Sequence, residues 1–307
     1  MHVSAVICTR NRPDLIGDAV ASVLANTYPS FDLLVVDQSD DGRTHAVVDR
    51  LAQGHPNLRY LHTSTPGLSR AYNIGIRETS GEVIAFTDDD CIAPPDWIQQ
   101  IAAAFQAEPD VDMLYGQVLL PEALKPVLAE GKGTVPTLAI ERRRRLSRRD
   151  GFQVYGMGAN FAARRRLFER IGGFDELMGG GGPLRSSQDF DFQYRAYVAG
   201  AVVLLCPEVK VDHYGFRSNE QWPTTLRAYG IGDGAFYWKH VRCGDLLALS
   251  LLLRRLGRLA AREALNGVRR KPSMAAYVRS VLDGIRESSR YPVDRRQRLY
   301  VALPHAN

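Results

Sequence analysis

Residues 82–91 read EVIAFTDDDC, an apolar run that stops abruptly in three aspartates. Val83 to Phe86 have the β-branched and aromatic character of a short buried strand. Asp88, Asp89 and Asp90 follow as adjacent carboxylates that repel one another, and burying them uncompensated costs several kcal/mol per ion. The triplet therefore calls for a hard divalent cation or another concentrated positive charge. A solvated acidic turn at the start of the next helix would carry the same letters.

Upstream, residues 3–8, 33–37 and 58–62 are similar strand-like runs. Between the first two, Leu15, Ile16, Ala19, Val20, Val23 and Leu24 recur at three- and four-residue steps behind Pro13, which suits a first helical turn. Residues 44–53 and 68–79 read as helices in the same way. This alternation predicts a parallel sheet covered by helices, and such sheets bind ligands beyond the carboxyl ends of their strands. Those ends are polar: Thr9, Arg10, Asn11 and Arg12 follow the first strand, and Asp37, Gln38 and Ser39 the second. A carboxylate and an amide can read a base or a ribose, while arginine suits diphosphate oxygens. Taken singly, a turn at 37–42 and an exposed loop charge at Arg10 account for the same letters. In GLSRAYNIGI, Arg70 and Asn73 stand three apart near a helix start, Arg70 either meeting phosphate or serving as a surface cation. The first turn, CTRNRP, has no GxGxxG, which counts against a dinucleotide-binding dehydrogenase.

Further along, the pattern predicts a helix at 95–106, a strand at 111–120 and an irregular stretch at 121–150 ending in ERRRRLSRRD. Order resumes at 155–161, followed by a helix near 165–171, the glycines 179–182, a helix at 187–199, and strands at 202–205 and 209–213. From Gln221 onward the chain reads as helical and basic. The 307 residues are 45% hydrophobic and 24% charged, an ordinary globular composition. Cys8, Cys91, Cys206 and Cys243 form no CxxC pair, so reduced thiols are expected rather than a zinc cluster or a disulfide framework. No secretory leader is evident, and the longest strongly apolar run, 246–253, falls short of the ~20 residues that span a bilayer. The net charge of +5 is uneven: residues 1–215 carry −5 and residues 216–307 carry +10.

The ordered set TRNRP, VVDQSDDG, GLSRAYNIGI, FTDDDC, GANFAARR, IGGFDE and SQDFDFQYR resembles the family 2 glycosyltransferases with the GT-A fold, across residues 3–215. The resemblance implies an α/β, Rossmann-like, mostly parallel sheet flanked by helices. It divides the chain into a catalytic domain at 1–215, with a donor half at 1–110 and an acceptor and base half at 111–215, and a basic helical extension at 216–307. By the same resemblance Asp37 holds the base of a nucleotide-sugar. Asp88 and Asp89 meet the donor, and Asp88 and Asp90, with His213, hold a Mg²⁺ or Mn²⁺ that bridges the diphosphate. Thr9, Arg10, Asn11, Arg70 and Asn73 complete the donor pocket. Asp189 falls where the family places its general base, with Gln188 standing where an acidic residue is usual, and Asp191 is the second choice. Asn160, Gln188 and Asp191 fall on the acceptor side, and the glycine run is either a closing loop or a plain connector.

The activity so implied is metal-dependent, inverting transfer of a single sugar, from a UDP-sugar as the family's commonest donor, to a hydroxyl of a glycan, lipid-linked or small-molecule acceptor. Gln221-Trp222 is followed by Pro223 without the QxxRW motif of processive synthases. A sugar nucleotidyltransferase would need a glycine- and arginine-rich loop after the first strand, which is absent. A nucleic-acid-binding module is opposed by the −5 of residues 1–215, and an inactive scaffold by the presence of every acidic position the chemistry needs. In the tail, Arg254, Arg255, Arg258 and Arg262 cluster opposite Leu249, Leu252, Leu253, Leu256 and Leu259. Such a helix can meet a membrane surface, pack on the catalytic domain or form a homodimer. The expected location is the cytoplasm or the inner face of the cell membrane.

Overall fold

The structure, a computed structural model, describes residues 1–268 and 275–303, so parts of the expected C-terminal extension lie outside the described residues. Strands β1 (Val3–Thr9), β2 (Phe31–Asp37), β3 (Leu58–His62) and β4 (Val83–Asp88) pair in parallel in the order β3-β2-β1-β4. The helices α1 (Pro13–Leu24), α2 (Arg43–Ala52), α3 (Leu68–Glu78) and α4 (Trp97–Ala107) alternate with them. β1 is buried along its whole length. Val3, Ala5 and Ile7 share one core with Ile16, Val20 and Val23 of α1 and Trp97 and Ile101 of α4, while Val6 meets α3 on the other face. Burial on both faces is why β1, β4 and the latter part of β2 read as continuous apolar runs. Gly75 is what lets α3 approach, since a Cβ there would lie 2.6 Å from Val6 Cγ1.

The sheet extends through β5 (Cys91–Ile92), β6 (Met113–Leu119), β7 (Arg144–Leu146), β8 (Asn160–Arg164) and β9 (Val203–His213) to nine strands, in the order β3-β2-β1-β4-β8-β6-β9-β5 with β7 also on β9. β8 runs antiparallel to both β4 and β6, and β9 runs parallel to β6. Within the ordered stretch 155–161, β8 starts only at Asn160, because Met157 to Asn160 close a turn in which the Asn160 N–H donates to the Met157 carbonyl. One expectation changes. The two strands expected at 202–213 are one, whose register shifts between Leu205 and Lys210, around Pro207, which has no N–H to give the ladder.

The chain divides into two compact units. One comprises Met1–Pro66, Arg70–Gly173 and Gln193–Asn219, and holds the sheet; the other comprises Gly67–Ser69, Phe174–Phe192 and the described residues from Glu220 onward. In the second unit α7 (Trp222–Arg242), α8 (Leu246–Val268) and α9 (Ala275–Ser288) pack around Leu259, Tyr277 and Val281. Glycine inside a helix costs about 1 kcal/mol against alanine. Here it permits close approach of α7 and α9: a Cβ at Gly234 would lie 2.1 Å from the Val281 carbonyl oxygen, and one at Gly284 2.1 Å from that of Ile231.

Candidate active site at the carboxyl edge of the sheet

Strand register assembles the first row of candidates. Thr9 lies opposite Asp37 and Cys8 opposite Asp88, so Thr9, Asp37 and Asp88 stand side by side where β1, β2 and β4 end. Asp37 is buried; one oxygen accepts from the Ser39 N–H at 2.8 Å and the other from the Tyr60 hydroxyl at 2.8 Å. Burial and the Asp37 charge hold the Tyr60 phenol well above its ordinary range, so it stays a donor. Asn11 adopts a left-handed φ of 56°, which asparagine tolerates, and staples the β1 and β2 loops together. Its Nδ2 donates to Asp40 Oδ2 at 2.8 Å, its Oδ1 accepts from the Asp40 N–H at 2.9 Å, and its own N–H donates to Ser39 Oγ at 2.8 Å. Arg10 lies exposed, 3.5 Å from Asp40.

The aspartate triplet carries part of its compensation within the fold. Arg12 Nη1 donates to Asp89 Oδ1 at 2.7 Å and to Asp90 Oδ2 at 2.9 Å, and Thr9 Oγ1 donates to Asp89 Oδ2 at 2.7 Å. The sequence placed Arg12 among the polar strand-end residues but not against the aspartates, because the direction of a side chain at a helix start depends on what the tertiary fold puts beside it. Asp88 is near the Tyr72 hydroxyl, at 3.4 Å. Burial, with the neighbouring Asp90 charge, pushes the Asp88 carboxyl up to about 7, so the triplet does not carry three negative charges easily.

β5 folds back on β9 and sets Cys91 opposite His213. His213 Nδ1 lies 2.8 Å from the Pro136 carbonyl oxygen, which can only accept, so Nδ1 carries the hydrogen. Nε2 then faces Asp90 Oδ1 at 3.3 Å. That carboxylate oxygen is buried and has no well-directed hydrogen bond among the described residues. Burial opposes charge on His213, yet the Asp90 carboxylate outweighs it and raises the imidazole. A divalent cation between Nε2 and Oδ1 would satisfy both; the carboxylates suit the Mg²⁺ and Mn²⁺ class, and the imidazole suits a transition metal. Cys91 Sγ belongs to the same cluster, but burial and then Asp88 push its thiol well up, and a neutral thiol is a poor ligand for a hard cation. Gly215 leaves the room, since a Cβ there would stand 2.4 Å from His213 Nε2 and 3.0 Å from Asp90 Oδ2.

On α3, Arg70 and Asn73 are half-buried on either side of Tyr72. Asn160, expected on the acceptor side, is fully buried instead: its Oδ1 accepts from Trp97 Nε1 at 3.0 Å and its Nδ2 donates to the Gln117 carbonyl at 2.8 Å. It braces the sheet, because a buried amide must spend its donors and acceptors on its neighbours.

The second unit holds the remaining candidates. Asp189 is half-buried in the first turn of α6 (Gln188–Val198), and one of its oxygens accepts from the Phe190 N–H at 3.0 Å. Gln188 is likewise half-buried. Just before them Arg185 and Ser187 hold left-handed φ values of 67° and 65°, unusual for residues other than glycine and asparagine. Ser187 is held there by Asp233, to which its Oγ donates at 3.1 Å. The glycines 179–182 are not a slack tether: the Gly182 N–H donates to the Gly179 carbonyl at 3.0 Å, and the Gly180 carbonyl accepts from the Leu68 N–H at 2.8 Å. Asp191, the second choice for a base and expected on the acceptor side, is fully buried against Lys239 and His240 and is not open to an acceptor.

Residues 4–172 match the family model described as Glycosyl transferase family 2. The chain belongs to glycosyl transferase family 2. As a family 2 glycosyltransferase it is an enzyme, as the order of its motifs led us to expect. It is 26% identical over 230 residues to the glucosyl-dolichyl phosphate glucuronosyltransferase of Haloferax volcanii, covering 72% of each chain. To the beta-monoglucosyldiacylglycerol synthase of a Synechocystis species it is 25% identical over 181 residues, 57% of this chain and 37% of that one. In fold this family 2 chain is similar to the mannosyltransferase PcManGT from Pyrobaculum calidifontis in complex with GDP-Man and Mn²⁺, with a TM-score of 0.61, 18% identity and coverage of 92% and 87%. It is also similar to S. aureus TarS 1-349 in complex with UDP, with a TM-score of 0.57, 20% identity and coverage of 76% and 65%. The expected GT-A architecture is thus borne out.

Proposed function

We propose that this family 2 glycosyltransferase moves one sugar from a nucleotide-sugar, first of all a UDP-sugar, to an acceptor hydroxyl by a metal-dependent, inverting displacement. The observation that carries the reading is the pair formed by His213 Nε2 and the unsatisfied Asp90 Oδ1, 3.3 Å apart beside Asp88 and Asp89. A Mg²⁺ or Mn²⁺ held there would supply Lewis-acid neutralisation of the departing diphosphate. Asp88, Asp90 and His213 would hold it. Asp37 keeps lone pairs beyond those used by Ser39 and Tyr60, and these can accept an N–H of the base. Arg12 and Arg70 would meet diphosphate oxygens, with Thr9 and Asn11 holding the loop in shape. Asp189 takes the proton from the acceptor hydroxyl as that oxygen attacks.

The GDP-Man, Mn²⁺ and UDP in the similar solved structures support the nucleotide-sugar donor and the metal. The names of the two relatives, one of a dolichyl phosphate and one of a diacylglycerol, support a lipid-linked acceptor. Calorimetric titration with UDP, GDP and dTDP, each with Mn²⁺ and with EDTA, tests the reading. Binding of one nucleotide that disappears in EDTA is expected. Binding that survives EDTA undiminished, or no binding of any of the three, overturns it.

A further inference from the structure

The outward side of α8 is apolar where a surface helix is ordinarily polar. Leu246, Leu249 and Leu253 are 78%, 36% and 60% exposed. Gly257, Ala260 and Ala264, also exposed, continue the same stripe at three- and four-residue steps. Arg254, Arg258 and Arg262, all exposed, occupy the rest of the outward surface, Arg254 nearest the stripe and Arg262 farthest from it. Leu252 and Leu259 adjoin this stripe and are buried, and Arg255 turns inward to donate to Asp233 at 3.1 Å. The single leucine face read from the sequence is thus only half covered: Leu252 and Leu259 lie on its buried margin, and Leu249 and Leu253 on its exposed one. Glu263 is the sole acidic residue of α8, and it is half-buried. Of the large apolar side chains exposed among the described residues, most lie beyond residue 220, among them Leu282 of α9 between exposed Arg279 and Arg286.

We propose that this face docks on an anionic phospholipid surface, its leucines entering the acyl boundary and its arginines resting on lipid phosphates. Charge complementarity selects that occupant. Residues 216–307 hold 17 Lys and Arg against 7 Asp and Glu, so a second copy would bring the same positive charge to the face. A nucleic acid would engage the arginines and leave the leucines in water. No helix among the described residues is long and apolar enough to cross a membrane, which leaves the helix lying in the interface. The proposal stands apart from the donor-site reading, since the face shares no residue with it.

Flotation of the full chain with phosphatidylcholine vesicles, and with vesicles that also contain phosphatidylglycerol, tests it. The parent is expected to float with the anionic vesicles and not with the zwitterionic ones. The variant R254Q/R258Q/R262Q should bind on the order of a hundredfold more weakly. The variant L246S/L253S should lose at least about tenfold. Circular dichroism melts of both variants, matching the parent's, exclude unfolding as the cause. No flotation of the parent overturns the proposal. So does undiminished binding by L246S/L253S, which would mean simple attraction to polyanions, or a dimer in sedimentation velocity that this variant abolishes.

Discussion

Lys239 Nζ lies 2.6 Å from the Asp191 carboxylate, and neither side chain has any exposure. The same ammonium lies 2.6 Å from Asp175 Oδ2, whose carboxylate also accepts from the Tyr300 N–H at 2.8 Å. One cation on α7 therefore pins the first turn of α6, two residues after Asp189. Removing one partner of a buried pair leaves an uncompensated charge, at a cost of about 3 to 5 kcal/mol. Lys239→Met should lower stability by that order in urea denaturation. A midpoint unchanged from the parent would show that the pair contributes nothing.

His240 makes stability depend on pH. Its Nδ1 is 3.4 Å from Arg298 Nη1, a group that can only donate, and its Nε2 is 2.9 Å from Asp191 Oδ1. The neutral ring with its hydrogen on Nε2 satisfies both neighbours. Burial pulls the imidazole down to about 4, against the opposing pull of Asp191, whereas in the unfolded chain it titrates near ~6.5. Between those values the unfolded chain binds the extra proton, so His240's contribution is full above ~6.5 and is lost as pH falls toward about 4. Urea midpoints measured from pH 4 to pH 8 should fall less on acidification in His240→Gln than in the parent. Parallel curves would refute the assignment.

Gly215 leaves open the space beside His213 and Asp90. In Gly215→Ala the new Cβ would meet His213 Nε2 at 2.4 Å, so the ring or the loop must shift. Calorimetry should show Mn²⁺ affinity reduced at least about tenfold, as for the loss of a group that orients a ligand. A thermal melt in EDTA should change far less.

Arg12 offsets charge that a bound cation would also offset. Arg12→Ala leaves Asp89 and Asp90 with less compensation, and the half-exposed guanidinium limits the cost to about 1 kcal/mol. The melting temperature of the variant should therefore rise more on Mn²⁺ addition than the parent's does. An equal or smaller rise would place Arg12 outside the electrostatics of the site.

Asp189→Asn keeps the shape of the side chain and removes its basicity. Transfer should fall by at least about a hundredfold while nucleotide binding in Mn²⁺ stays at the parental level. Turnover equal to the parent's would remove Asp189 from the mechanism.

Local periodicity was enough for the parallel strands and their helices, because an apolar run of strand length and a three-to-four spacing are properties of neighbouring residues. Ile16, Val20 and Val23 face the core as their spacing required, and Thr9, Asp37 and Asp88 stand in one row because parallel register follows from the strand ends. The motif order alone also identified the family. Side-chain direction and long-range pairing were not legible. Asn160 reads as a polar residue of a functional motif and is a buried brace, because Trp97 and Gln117 meet it from other strands and helices. Arg12, Asp90 and His213 converge only when β5 folds back on β9, and Asp191 is sealed only once α7 places Lys239 against it. Sequence determined which surfaces had to leave water, a matter of composition and period. Tertiary structure decided which charges would meet, since that depends on distances between residues far apart in the chain.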